Sequence, residues 1–137
     1  MRPSRIGLAL ALAVAALGAS CSGAPRGDFG YLPQASDLVC TPASLAVGAT
    51  TTVSGQVTFF APNADLFFLF AQVTDPSGQA LPLVRFDVSY AYGYTQGVLP
   101  FSLPITASSS GSYQLKVWLK DFNGQNSSAV TATLPAS

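Results

Sequence analysis

The sequence predicts an all-β protein: a single antiparallel β-sandwich of about seven strands behind an N-terminal signal segment. Three observations predict it. Apolar and polar residues alternate with a period of two over several segments, and turn compositions separate those segments at short intervals. No stretch after residue 36 carries a convincing helical period.

The chain opens with a segment that is not part of the sandwich. Arg2 and Arg5 make its start positive, the apolar stretch "IGLALALAVAAL" runs from Ile6 to Leu17, and Gly18, Ala19 and Ser20 lead into Cys21. A charged start, a short apolar core and a zone of small residues are the anatomy of a secretory signal, here residues 1–20. An apolar run of about 12 residues falls short of the roughly 20 needed to span a bilayer.

The stretch "ALGASCSG" (16–23) resembles the lipobox of bacterial lipoproteins, with Ala19 and Ser20 in the two positions before the cysteine. Gly18 stands where that family usually has leucine, which leaves ordinary cleavage near Ser20 as the alternative. The resemblance implies that Cys21 is lipidated and that the protein is exported and anchored to a membrane of the bacterial envelope. Several acyl chains on one residue suffice for stable attachment. Ser22 is not the aspartate that signals inner-membrane retention in enteric bacteria, so the implied address is the outer membrane where the source has one. With Cys21 lipidated, Cys40 has no partner in the chain and reads as a small packed hydrophobe at the start of the first strand. A Cys21–Cys40 disulfide, which export permits, would tie down only the tail.

Residues 21–37 are rich in Gly, Pro and Ser and read as a flexible tether. Their Arg26-Gly27-Asp28 is a chance tripeptide in a low-complexity linker. The domain proper is expected over 38–137. "TTTVSGQVTFF" (50–60) sets Val53, Gly55, Val57 and Phe59 against Thr52, Ser54, Gln56 and Thr58, a half-buried strand. "LFFLFAQVT" (66–74) is short, aromatic and bounded by turn residues, so it reads as a central strand, and Asp75-Pro76-Ser77-Gly78 after it is a turn. "LPLVRFDVSY" (81–90) predicts a further strand. "VLPFSLPIT" (98–106) predicts another, and Pro100 and Pro104 remove donors on one side of it, which makes it an edge.

The last segment is the clearest. Tyr113, Leu115, Val117 and Leu119 alternate with Gln114, Lys116, Trp118 and Lys120; Asn123-Gly124 then supplies a positive-φ turn, and Val130, Ala132 and Leu134 return on the inner face. Gly-x-Tyr followed by alternating apolars and "DFNGQNSS" resembles the last hairpin of bacterial immunoglobulin-like and fibronectin type III-like domains. The resemblance implies that the Tyr113 hydroxyl bonds back to the corner before its strand.

Composition narrows the chemistry. The chain has no histidine and no glutamate, and its six acids are all aspartates. Serine and cysteine relays lose their commonest base, and scattered turn aspartates give no reason to expect a carboxylate pair across a cleft. Without residues 1–20, four basic residues face six acidic ones, which offers no patch for nucleic acid. Asp121-x-Asn123-Gly124 begins like a calcium loop but lacks its remaining acidic ligands, so a hairpin turn accounts for it. No catalysis, metal or cofactor is expected.

Two aromatic groups remain as candidate binding surfaces. Alternation puts Phe68 and Phe70 opposite Phe67, Leu69, Ala71 and Val73. If their strand neighbours that of Trp118, the three rings form an exposed patch, unless the tether or a loop covers it. Tyr90, Tyr92 and Tyr94 alternate around Gly93, either as a loop tip for binding or as braces for the sandwich edge. The expected role is a membrane-anchored interaction or assembly module with an envelope protein as partner. The alternatives are a carbohydrate-binding module and a structural spacer.

Overall fold

The computed structural model describes residues 31–137, and the fold is the unit Leu32–Ser137. The signal segment, Cys21 and the first part of the tether lie outside the described residues. Seven strands follow one another: β1 Gln34–Thr41, β2 Thr50–Phe60, β3 Leu66–Thr74, β4 Val84–Asp87, β5 Gln96–Thr106, β6 Gly111–Asp121 and β7 Val130–Ala136. They form two antiparallel sheets, β1-β2-β5 and β4-β3-β6-β7. This is an immunoglobulin-like β-sandwich.

The period-two pattern builds the core directly. Val53, Val57 and Phe59 of β2 and Leu99, Leu103 and Ile105 of β5 face Leu69, Ala71 and Val73 of β3 and Leu115, Val117 and Leu119 of β6, all buried. Gly55 belongs to the same inner row. A Cβ there would overlap the Phe101 ring, so the glycine makes room for an aromatic side chain from the paired strand. β5 pairs only with β2 and is an edge, with Pro100 opposite Gln56 and Pro104 opposite Thr52. Missing donors on the unpaired side cost the sheet nothing and discourage a further strand from adding there.

Tyr113 is buried, and its hydroxyl donates to the Ser109 carbonyl at 3.1 Å and accepts from the Ser109 N–H at 3.4 Å. The corner implied by the resemblance is present. Gly124, at φ 84, lies in the turn between β6 and β7. The hairpin beyond it is not a tight two-residue one: the Asp121 N–H donates to the Gln125 carbonyl, and β7 resumes only at Val130. In between, Ser127 bridges the gap by donating its N–H to the Leu119 carbonyl and accepting the Leu119 N–H on Oγ.

Four expectations are corrected. The strand expected over 81–90 is only Val84–Asp87, followed by a 3₁₀ turn at Ser89–Ala91. The Asp87 carboxylate accepts the Ser89 N–H at 2.8 Å, and this local bond competes with the ladder and turns the chain. β1 begins at Gln34, upstream of Leu38, so Cys40 lies near the end of that strand; its free thiol is half-buried, and burial pushes its pKa up. Phe67 does not join the inner row. The register of β3 against β6 shifts between Leu66 and Phe68, and this irregularity leaves Phe67 half-buried at the sandwich end. The Phe68, Phe70 and Trp118 rings are half-buried rather than openly exposed, for the reason given next.

Candidate interaction surface

The outer face of the four-stranded sheet carries Phe68 and Phe70 from β3 and Trp118 from β6. Register brings them together: Phe70 lies opposite Trp118, and Phe68 lies opposite Lys120. Phe70 stacks on Trp118 with centroids 5.5 Å apart and planes 14° from parallel, and Phe68 is 6.2 Å from Phe70. Such ring pairs contribute about 0.5–1.5 kcal/mol beyond the area they bury.

Cations lie over all three rings. The Arg85 guanidinium sits 4.7 Å from the Phe68 centroid, Lys120 Nζ 5.4 Å from Phe70 and Lys116 Nζ 5.3 Å from Trp118. In the ladder Arg85 is opposite Phe70, and Lys120 is opposite Phe68. Each therefore covers the diagonal neighbour of the residue it faces, a reach that long side chains have on a twisted sheet. Their alkyl stems screen apolar ring surface while the charged heads stay wet. That cover contributes to the half-burial of the rings.

Arg85, Lys116 and Lys120 are the only basic residues among those described, so all the positive charge of the described fold is on this one face. Asp87 is its single acid. Hydrogen bonds from Ser89, and secondarily the charge of Arg85, hold the Asp87 carboxyl below its usual pKa.

The tyrosines occupy one end of the sandwich, not a strand. Tyr90, Tyr92 and Tyr94 are 60%, 54% and 63% exposed. Tyr92 belongs to an aromatic trio that the sequence reading missed in part: Phe67 lies 6.4 Å from Tyr92 and 5.3 Å from Phe122, and Tyr92 lies 6.3 Å from Phe122, all edge-to-face. Phe122 is exposed. A large apolar residue inside the turn "DFNG" was the available signal for it. Phe68, Phe70 and Trp118 thus form one coherent surface, and Tyr92 forms a second cluster with Phe67 and Phe122 that adjoins it, the Phe67 and Phe68 ring centroids lying 5.0 Å apart. Tyr90 and Tyr94 show no ring stacking in either.

No three His, Cys, Asp or Glu side chains gather into a metal-holding group among the described residues, and no described helix is long and apolar enough to cross a membrane.

No protein-family model and no curated protein matches the chain. Solved structures do resemble it. A PKD domain of an M14-like peptidase from a Thermoplasmatales archaeon is 17% identical, with 77% of this chain and 92% of that one covered and a TM-score of 0.47. A CARDB domain from Pyrococcus furiosus is 12% identical over 77% of this chain and 90% of that one, with a TM-score of 0.45. Part of a Pseudomonas fluorescens alkylpurine DNA glycosylase is 16% identical, covering 79% of this chain but 31% of that one, with a TM-score of 0.50. At these identities the likeness concerns the fold alone.

Proposed function

We propose that this protein is a non-catalytic binding module, held at a membrane of the bacterial envelope by lipid on Cys21. Its outer aromatic and cationic face engages an envelope protein bearing an acidic, partly apolar surface. One observation carries the reading: every cation of the described fold lies over a ring of the Phe68, Phe70 and Trp118 group. Interfaces favour aromatic residues and arginine, which join large contact area to directional charge. A ring already under a cation can bury its edge against a partner while the cation turns to a carboxylate. A carbohydrate platform is less well served, because a sugar needs an open ring face and the indole is stacked on Phe70 with Lys116 above it.

Anchoring and binding are tested separately. Cys21→Ser should abolish palmitate labelling and release the protein into the soluble exported fraction; unchanged labelling would sink the lipoprotein reading. For binding, a photocrosslinker beside Trp118 should capture one envelope protein from native membranes, and Lys120→Glu should abolish the capture. Retention on a glycan array with no protein capture would favour the carbohydrate reading instead.

A further inference from the structure

Away from that face, the loop between β2 and β3 and the turn between β6 and β7 bring together oxygen donors far apart in sequence. Asp121, the last residue of β6, is 1% exposed. Its Oδ1 accepts the Gln125 N–H at 2.8 Å, while its Oδ2 is buried without a hydrogen-bond partner. Oε1 of Gln125 is likewise buried and unpartnered. Asp65, just before β3, is 9% exposed, and its backbone carbonyl accepts the Phe122 N–H at 2.8 Å, which fixes the loop to the turn. Asn123 Nδ2 lies 3.4 Å from Asp65 Oδ2. Burial, and then the negative charge of Asp121, push the pKa of the Asp65 carboxyl up.

Buried carboxylates without counter-charge are costly, and they persist when paired, protonated or bound to a metal. No described cation serves here, since Arg85, Lys116 and Lys120 lie over Phe68, Trp118 and Phe70 on the outer face. We infer that the Asp65 and Asp121 carboxylates, with the side-chain amide oxygens of Asn123 and Gln125, bind a hard divalent cation, calcium above all, between the β2–β3 loop and the β6–β7 turn. Two carboxylates balance a charge of two. An all-oxygen set with no thiol or imidazole excludes the softer metals, and amide and carboxylate donors on two loops suit the larger, geometrically tolerant calcium ion better than magnesium. A half-turn of the Asn123 amide presents Oδ1 in place of Nδ2. The acid missing from the Asp121-x-Asn123-Gly124 segment is thus supplied by Asp65, across the fold.

With only two charged ligands the affinity belongs to the weak class, with a dissociation constant on the order of 10⁻⁴–10⁻³ M. The ion would brace the sandwich end where Phe67, Tyr92 and Phe122 meet. None of its four ligands is a residue of the proposed partner face.

The test is thermal melting and calorimetric titration of the whole protein after chelation, with Asp65→Asn and Asp121→Asn beside it. About 10 mM calcium should raise the wild-type melting temperature by roughly 5–10 °C, with magnesium giving less. Both variants should lose the response. Asp65→Asn serves as the decisive variant if Asp121→Asn fails to fold, since the bond that ties the loop to the turn uses the Asp65 backbone carbonyl, which the substitution keeps. A wild-type protein indifferent to calcium, or an Asp65→Asn variant that responds as strongly, overturns the proposal. So does a fold that ignores calcium but strengthens as pH falls through the carboxylate range, because a shared proton would then hold the pair.

Discussion

The two outer faces of the sandwich follow the same alternation and differ in nearly everything else. The three-stranded sheet shows water Thr52, Ser54 and Gln56 from β2 opposite Pro104, Ser102 and Pro100 from β5, together with the exposed apolar side chains of Val39, Phe60 and Val98, and no basic residue. The four-stranded sheet shows Phe68, Phe70 and Trp118 under Arg85, Lys120 and Lys116. Folding alone explains the first face, because period-two alternation needs only a solvated outside, and a few apolar residues among polar ones are ordinary there. It does not explain the second. Three large rings outside a core that is already filled add side chains the sandwich does not require, and the fold's entire described positive charge gathers beside them. The proposed partner contact would account for a surplus of this kind.

The comparison can be broken at several depths. The largest effect should come from the inner side that both faces share. Tyr113→Ala should lower the melting temperature by more than about 10 °C, because it removes a buried ring as well as the bond to Ser109. Tyr113→Phe should lower it by only a few degrees, and equal, negligible losses in the two melts would mean that the corner does not hold the hairpin. Gly55→Ala, beneath the neutral face, should cost about 1–3 kcal/mol in denaturant unfolding, since Phe101 must shift to admit the methyl group.

Smaller effects separate the faces themselves. Trp118→Ala should cost about 1–2 kcal/mol, the worth of one ring stack and one cation contact at a half-wet site. Ser54→Ala and Ser102→Ala on the neutral face should stay within about 0.5 kcal/mol of wild type. If Trp118→Ala were as harmless as these, the stack would be a coincidence of register. If it unfolded the protein, the ring would belong to the core and not to a surface.

Much of this was legible in the residues because it depends on local pattern. β2 and β3 begin and end where alternation and turn composition put them, at Thr50–Phe60 and Leu66–Thr74. The paired prolines marked β5 as an edge, and the juxtaposition of Phe70 with Trp118 follows once β3 neighbours β6. What escaped depends on geometry between strands. The cover over the rings needs the diagonal reach of Arg85 and Lys120, which only register and twist reveal. The early end of β4 turned on a single side-chain bond from Asp87. The meeting of Asp65 with Asp121 was invisible, because two turns distant in sequence come together only at the end of the completed sandwich.

The central claim, that one outer face binds and the other merely covers, is tested most directly by reversing charge on each. Purified Cys21→Ser protein carries no anchor, so its retention of an envelope protein from detergent-solubilised membranes, when it is immobilised on a resin, reads partner binding alone. The triple change Arg85→Glu, Lys116→Glu and Lys120→Glu should abolish retention, while Thr52→Glu, Ser54→Glu and Ser102→Glu together should leave it intact, with both proteins folded by circular dichroism. Retention that survives the first triple change, or that falls equally with the second, would contradict the account.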